Sequence, residues 1–169
     1  HERLPMIEVI ADAEIPVMGH LGLTPQSVLA MGGFKVQGKS TQAAMALYSD
    51  AKSLQHAGCF AIVLEGVPNE VGKFITDALD VATIGIGAGP DCDGQVLVFH
   101  DVLGIEDRFK PKFVRRYATL KEDGVEALAA YASDVRTGAF PAGEECYHLS
   151  DEEVEALGLY GRPVDRDDD

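Results

Sequence analysis

Apolar residues in this chain occur in two patterns, short uninterrupted runs and longer stretches with helical spacing. The run Phe60 to Leu64 has no polar alternation and stops abruptly at Glu65. A strand with this pattern should be buried on both faces, as in a parallel sheet covered by helices. Similar runs bounded by turn residues predict further strands. The four predicted strands are Ile15–Gly19, Phe60–Glu65, Ala82–Ile86 and Gln95–Phe99.

Helical patterns fill the segments around these strands. Thr24 followed by Pro25 is a typical helix start, and Gly58 is a typical helix stop. Strands that alternate with helices at this spacing predict an α/β fold with a parallel sheet and crossover helices. The predicted helices are Leu4–Ala13, Pro25–Ala30, Thr41–Ala57, Pro68–Leu79, Phe113–Leu120 and Gly124–Arg136, with a loop at Met31–Gly38.

The composition changes after Ser150. Asp151–Asp169 holds eight acidic residues and two arginines, which is typical of a solvated segment. We therefore expect one domain over residues 1–148 and an acidic tail over 149–169, with a short helix at Glu152–Leu157. The chain begins at His1 with a predicted helix and no strand before it, so we also expect a preceding part of the domain.

The charge and cysteine content of the chain limit the classes of partner that it can bind and indicate its cellular compartment. The 14 basic and 28 acidic residues give a net charge of −14, which argues against nucleic acid or an anionic membrane as a partner. The acidic surface also suits a high-salt environment. No apolar run approaches the roughly 20 residues that a membrane span needs. Cys59, Cys92 and Cys146 have no metal-binding spacing, so a reduced cytoplasm is expected.

Ionisable residues stand at the ends of several predicted strands. Glu65 closes one strand, His20 follows Ile15–Gly19, and His100 and Asp101 end the fourth strand as weaker candidates. The carboxyl ends of parallel strands form the rim where ligands bind. Glu65 is therefore either a partly desolvated carboxylate beside a substrate or a surface acid that begins a loop. A single histidine is more often structural, but the paired placement favours a functional role for His20.

Two glycine-rich segments resemble nucleotide-binding motifs. Gly33–Ser40 matches the phosphate-loop pattern G-x-x-x-x-G-K-[ST] literally, but a helix rather than a strand is predicted before it. A nucleotide-binding module that uses Lys39 is the alternative function. Gly85–Gly89 has its third glycine in the wrong place for a dinucleotide fingerprint, and Pro90 follows where a helix should start. We therefore expect a tight turn at the rim of a site.

Several of these segments together resemble one enzyme family. They are GHLGLTPQSV (Gly19 to Val28), GGFKVQGK (Gly32 to Lys39), VLEGVP (Val63 to Pro68), IGIGAGPDCDGQVLV (Ile84 to Val98) and the FP-x-x-EE element (Phe140 to Glu145). In this order they resemble ketopantoate hydroxymethyltransferase over nearly all of the first 148 residues. The resemblance implies a (β/α)8 TIM barrel, of which this chain would hold strands five to eight and the closing helices.

The resemblance also implies a reaction. A hydroxymethyl group would pass from 5,10-methylenetetrahydrofolate to 3-methyl-2-oxobutanoate, giving 2-dehydropantoate for pantothenate and coenzyme A synthesis. Mg²⁺ would stabilise an enolate, Glu65 would be the proton acceptor and His20 would contact the substrate. The family's metal ligands and substrate-binding lysine lie on strands two to four, so no metal ligand is expected here.

The family resemblance further implies a cytoplasmic homo-oligomer, a decamer, with the oxo acid and folate as its small-molecule partners. Half a barrel leaves sheet edges and an apolar interior open. The 169 residues alone are therefore not expected to be a self-sufficient enzyme. A noncatalytic acidic fragment is the remaining alternative.

Overall fold

Four parallel strands form one sheet in the order β1-β2-β3-β4. The computed structural model describes residues 3–24, 36–106 and 108–158, and the strand count refers to these ranges. The α/β class and the parallel sheet are confirmed, whereas closure of these strands into a TIM barrel stays a prediction. The strands are β1 (Val17–Gly22), β2 (Cys59–Glu65), β3 (Ala82–Ile86) and β4 (Gly94–Gln95).

Helices connect the strands much as the sequence predicts. The predicted helices Leu4–Ala13, Thr41–Ala57 and Pro68–Leu79 are confirmed to within a residue or two, whereas Pro25–Ala30 lies outside the described residues. The helices are α1 (Leu4–Asp12), α2 (Thr41–His56), α3 (Asn69–Ala78), α4 (Phe99–Val102), α5 (Leu120–Thr137) and α6 (Asp151–Leu157), with a 3-10 turn at Gly143–Glu145.

The core lies between one face of the sheet and helices α2 and α3. Ile62 and Leu64 of β2 are fully buried there, against Leu54 of α2 and Ile75 of α3. The prediction that the whole run Phe60 to Leu64 is buried is wrong at Phe60, which is 53% exposed. The pairing with β1 steps from Cys59 to Ala61 and skips Phe60, so this bulge residue lies outside the covered face.

The predicted strand Gln95–Phe99 is mostly wrong. Only Gly94 and Gln95 pair with β3, and the chain then turns into α4, where the Asp101 and Val102 amides donate to the Val98 carbonyl. His100 and Asp101 are consequently helical rather than at a strand end. Apolar runs this short do not distinguish a strand from other buried or half-buried structure.

The predicted helix Phe113–Leu120 is also wrong. The Tyr117 amide donates to the Val102 carbonyl at 2.8 Å, and the Leu120 amide donates to the Leu103 carbonyl at 3.0 Å. These bonds tie the segment to the end of α4 instead of forming helical turns. The predicted helix Gly124–Arg136 is confirmed within α5, which begins at Leu120.

The chain divides into two compact units, His1–Lys121 and Glu122–Asp169. The first contains the sheet and helices α1 to α4. The second contains most of α5 and all of α6, and it confirms the predicted short helix at Glu152–Leu157. The predicted boundary between a domain at 1–148 and a tail at 149–169 stays a prediction. Within the described ranges, no helix is both long and apolar enough to cross a membrane.

Candidate active site

Glu65 is the last residue of β2, in the middle of the sheet. Its strand partners are Gly22 on β1 and Ile86 on β3. The Leu23 amide donates to the Glu65 carbonyl at 2.8 Å, which holds the backbone at the strand end. The Glu65 side chain is only 13% exposed. The reading of Glu65 as a surface acid is therefore wrong, and its predicted position at the strand end is confirmed.

His20 lies directly beside Glu65. It sits inside β1, opposite Val63, so the prediction that it follows the strand is wrong because β1 continues to Gly22. The His20 Nε2 atom is 3.1 Å from Glu65 Oε2 and 3.1 Å from the Leu23 carbonyl oxygen. A carbonyl and a carboxylate both accept, so Nε2 carries the hydrogen in this arrangement. The two residues predicted to share a rim are therefore in contact.

The surroundings of Glu65 change its acidity. Burial of the carboxyl group raises the pKa of Glu65 above its usual value, because a carboxylate loses hydration when it is desolvated. The charge and hydrogen bond of His20 lower the same pKa, but by less. The net result is a more basic carboxylate than an exposed glutamate, which favours a role as a proton acceptor.

Glu65 lines a cavity of about 640 Å³ at the carboxyl ends of the strands. This volume is within the usual range for small-molecule sites. Asp101, Glu106, Arg108 and Lys112 supply its charged groups. The rest of the lining is mainly apolar and includes Leu23, Val36, Ile86, Val98, Phe109 and Phe113.

The turn after β3 shapes one wall of this cavity. Gly87 has a φ of 67°, and a Cβ there would lie 2.5 Å from the Phe113 ring. Only glycine permits both this backbone conformation and this approach of the ring. A Cβ on Gly72 of α3 would overlap the Ala88 carbonyl, and one on Gly89 would overlap the Asn69 side chain. The predicted tight turn is confirmed, packed directly on α3.

A side-chain network anchors the end of this turn. The Asp93 carboxylate accepts from the Thr83 amide at 2.8 Å and from the Thr83 hydroxyl at 3.0 Å. Thr83 is fully buried, and its hydroxyl also contacts the Thr76 hydroxyl of α3 at 2.8 Å. The network therefore joins β3, α3 and the segment that leads into β4.

The phosphate-loop pattern lies only partly within the described residues, because Gly33, Phe34 and Lys35 fall outside them. The Gln37 amide donates to the Gly66 carbonyl at 2.8 Å. The Ser40 hydroxyl accepts from the Ala43 amide at 3.2 Å and caps α2. Ser40 thus has a structural role that explains its place before a helix. Nucleotide binding through Lys39 remains an untested alternative.

In the described part of the chain, no group of three or more His, Cys, Asp or Glu side chains could hold a metal ion. Mg²⁺ requires octahedral coordination, mostly by oxygen. Glu65 is instead hydrogen bonded to His20. The described residues therefore do not fit a complete Mg²⁺ site by themselves.

The sequence reading missed the aromatic and basic residues of the cavity wall. Phe109, Lys112 and Phe113 lie in the segment RFKPKF, which runs from Arg108 to Phe113. Its alternation of aromatic and basic residues was an available signal. The signal was missed because Phe113 is the first residue of a predicted helix.

Comparison with known proteins gives consistent matches. The family model for ketopantoate hydroxymethyltransferase matches residues 1–143. The 3-methyl-2-oxobutanoate hydroxymethyltransferase 2 of Bradyrhizobium diazoefficiens is 58% identical over 151 residues, covering 89% of this chain and 52% of that protein. The 3-methyl-2-oxobutanoate hydroxymethyltransferase of Syntrophobacter fumaroxidans is 55% identical over 157 residues, covering 93% and 55%. The chain thus spans about half the length of these curated relatives.

Proposed function

This chain belongs to the ketopantoate hydroxymethyltransferase family, and on that premise we propose that its protein makes 2-dehydropantoate for pantothenate synthesis. The acceptor is 3-methyl-2-oxobutanoate, and the one-carbon donor is 5,10-methylenetetrahydrofolate. The observation that carries the proposal is the contact of His20 with Glu65, whose side chain lines a largely apolar cavity.

Glu65 removes the proton from C3 of the oxo acid. The electron pair of that C–H bond becomes the C2–C3 double bond of an enolate, and the negative charge moves to the C2 oxygen. The raised pKa of Glu65, caused by burial, supports this role, because a stronger base takes a carbon-bound proton more readily. The proton stays on the Glu65 carboxyl group while the next bond forms.

The enolate carbon then attacks the methylene carbon of the donor. Overall, a new C–C bond forms, both bonds from the methylene carbon to the folate nitrogens N5 and N10 break, and water adds its hydroxyl group to that carbon. The two nitrogens take up the proton held by Glu65 and the remaining proton of the water. The products are 2-dehydropantoate and tetrahydrofolate. The largely apolar lining of the cavity supports this step, because it limits the access of water to the enolate before the donor arrives.

His20 positions the base and binds the substrate in this proposal. Its Nε2–H donates to the Glu65 carboxylate and to the Leu23 carbonyl, which fixes the imidazole plane. The ring is still 38% exposed, and it lies next to the cavity through its contact with Glu65, which supports a contact with the bound oxo acid.

Mg²⁺ stays an expectation of the family resemblance, and the roles of Glu65 and His20 need no metal ligand from this chain. When bound, the ion would acidify the C3 proton by polarising the ketone. A cytoplasmic location and a decameric assembly are likewise expectations of the resemblance.

Proton exchange at C3 of 3-methyl-2-oxobutanoate in deuterated water tests the proposal. The experiment uses the protein as expressed from its own gene, with Mg²⁺ and without folate. We expect deuterium at C3, seen by proton NMR, and 2-dehydropantoate once the donor is added. Failure to exchange above the protein-free rate would contradict the role of Glu65.

A further inference from the structure

The cavity beside Glu65 is larger than the oxo acid, so part of its volume remains for another ligand. Taking the proposed function as given, we propose that the wall formed by Phe109 and Phe113, with Lys112 at its rim, binds the pterin ring of the folate donor. We call Phe109 and Phe113 the aromatic wall.

The size of the cavity is the first argument. At about 30 Å³ for each water-sized group, a volume of about 640 Å³ accommodates roughly 20 non-hydrogen atoms. A five-carbon oxo acid fills less than half of that space. The remainder is adjacent to the carbon that Glu65 deprotonates, which is where the second substrate has to be.

The chemistry of the wall is the second argument. Phe109 is 58% exposed and Phe113 is 37% exposed, although both line a cavity. Phe113 is held against the backbone of Gly87, where a side chain would collide with the ring. Exposed, positioned aromatic rings favour planar heterocycles, which stack on them in offset or edge-to-face arrangements.

The charge at the rim is the third argument. Arg108 is already paired with Glu106, with Nη2 and Oε2 2.6 Å apart. Lys112 is exposed, and within the described residues it forms no ion pair. A reduced folate carries its planar rings at one end and glutamate carboxylates at the other. The aromatic wall and Lys112 therefore match both ends of such a donor.

Titration with tetrahydrofolate tests the assignment directly. In Phe109→Ala and Phe113→Ala, we expect its dissociation constant to rise about five- to tenfold, while Phe109→Tyr, which keeps a ring, stays near the unaltered protein. Lys112→Gln should weaken binding about threefold, and less at high salt. Phe99→Ala and Lys110→Gln are matched controls, because these exposed residues do not line the cavity.

Folate-free deuterium exchange into 3-methyl-2-oxobutanoate separates this assignment from the proposed function. We expect each aromatic-wall variant to exchange within about twofold of the unaltered protein. Unchanged tetrahydrofolate affinity in both alanine variants would overturn the assignment, and so would equal loss of exchange and affinity. If the unaltered protein fails to exchange, the role of Glu65 is contradicted, while the titration still decides the assignment of the aromatic wall.

Discussion

The His20 Nε2 atom and the Glu65 Oε2 atom are 3.1 Å apart across the neighbouring strands β1 and β2. Forty-five positions separate the two residues in the chain, and the parallel pairing of the strands brings them together. Glu65 pairs with Gly22 rather than with His20, so the imidazole approaches diagonally along the sheet. Because Gly22 has no side chain, nothing at the paired position comes between the imidazole and the carboxylate.

Substitution of Glu65 separates proton removal from binding. Glutamine has nearly the same shape and still accepts from His20, but it is not a base. In Glu65→Gln we expect the C3 exchange rate to fall about 100-fold or more, with oxo acid affinity changed less than about threefold. NMR exchange and calorimetric titration give the two values. Glu70→Gln, at an exposed position on α3, is the control, and near-normal exchange in Glu65→Gln would refute the assignment.

Removal of His20 should shift the pH profile in a defined direction. His20 lowers the pKa of Glu65 through its charge and hydrogen bond, against the larger effect of burial. Without it, the pKa of Glu65 rises further, so the base is protonated at a higher pH. In His20→Ala we expect the acid limb of the exchange rate to move to higher pH. His56→Ala, at the exposed end of α2, should leave it in place, and a shift to lower pH in His20→Ala would contradict the interaction.

Asp93 should contribute to stability more than its exposed position suggests. Asp93→Ala removes the acceptor for the buried Thr83 amide and hydroxyl. We expect the free energy of unfolding to fall by about 2 kcal/mol, measured by urea denaturation. Asp91→Ala, two residues earlier and exposed, should change it by less than about 0.5 kcal/mol. Equal effects of the two substitutions would show that the Thr83 contact contributes little.

Ser40 and Lys39 offer a test of the nucleotide alternative. Since Ser40 caps α2, Ser40→Ala should cost about 1 kcal/mol of stability, whereas Lys39→Ala should be nearly neutral. We expect no saturable stabilisation by Mg²⁺-ATP in thermal denaturation of the unaltered protein. Strong stabilisation by ATP that is lost in Lys39→Ala would instead establish a phosphate loop.

The sequence predicts the centre of this fold better than its periphery. The strand before Glu65 and the helices α2 and α3 have apolar patterns that match their burial, because the core lies between them. The segments after Gln95 lack such a match. Val96, Val98 and Phe99 are all exposed, and Val98 lines the cavity. Their apolar run therefore does not belong to a buried strand.

The candidate site also has one part that the sequence predicts and another that it does not. Glu65 could be predicted because the end of a buried strand is recognisable from local pattern alone. The contact with His20 depends on the register between β1 and β2, and β1 extends to Gly22, beyond its predicted end at Gly19. The place of Phe113 against Gly87 depends on a turn and a loop that meet only after folding, so neither residue indicated the other in advance.

Helix α3 begins directly beneath the turn that follows β3, with Gly72 against Ala88 and Asn69 against Gly89. Two contacts this close make the turn and the first part of α3 a single rigid support. Any adjustment that encloses a ligand then falls to lining residues that this support does not hold. Amide hydrogen exchange should therefore slow on ligand binding at Val98 and Phe109, which line the cavity, while the amides of Gly87 to Gly89 keep the rates that they have in the free protein.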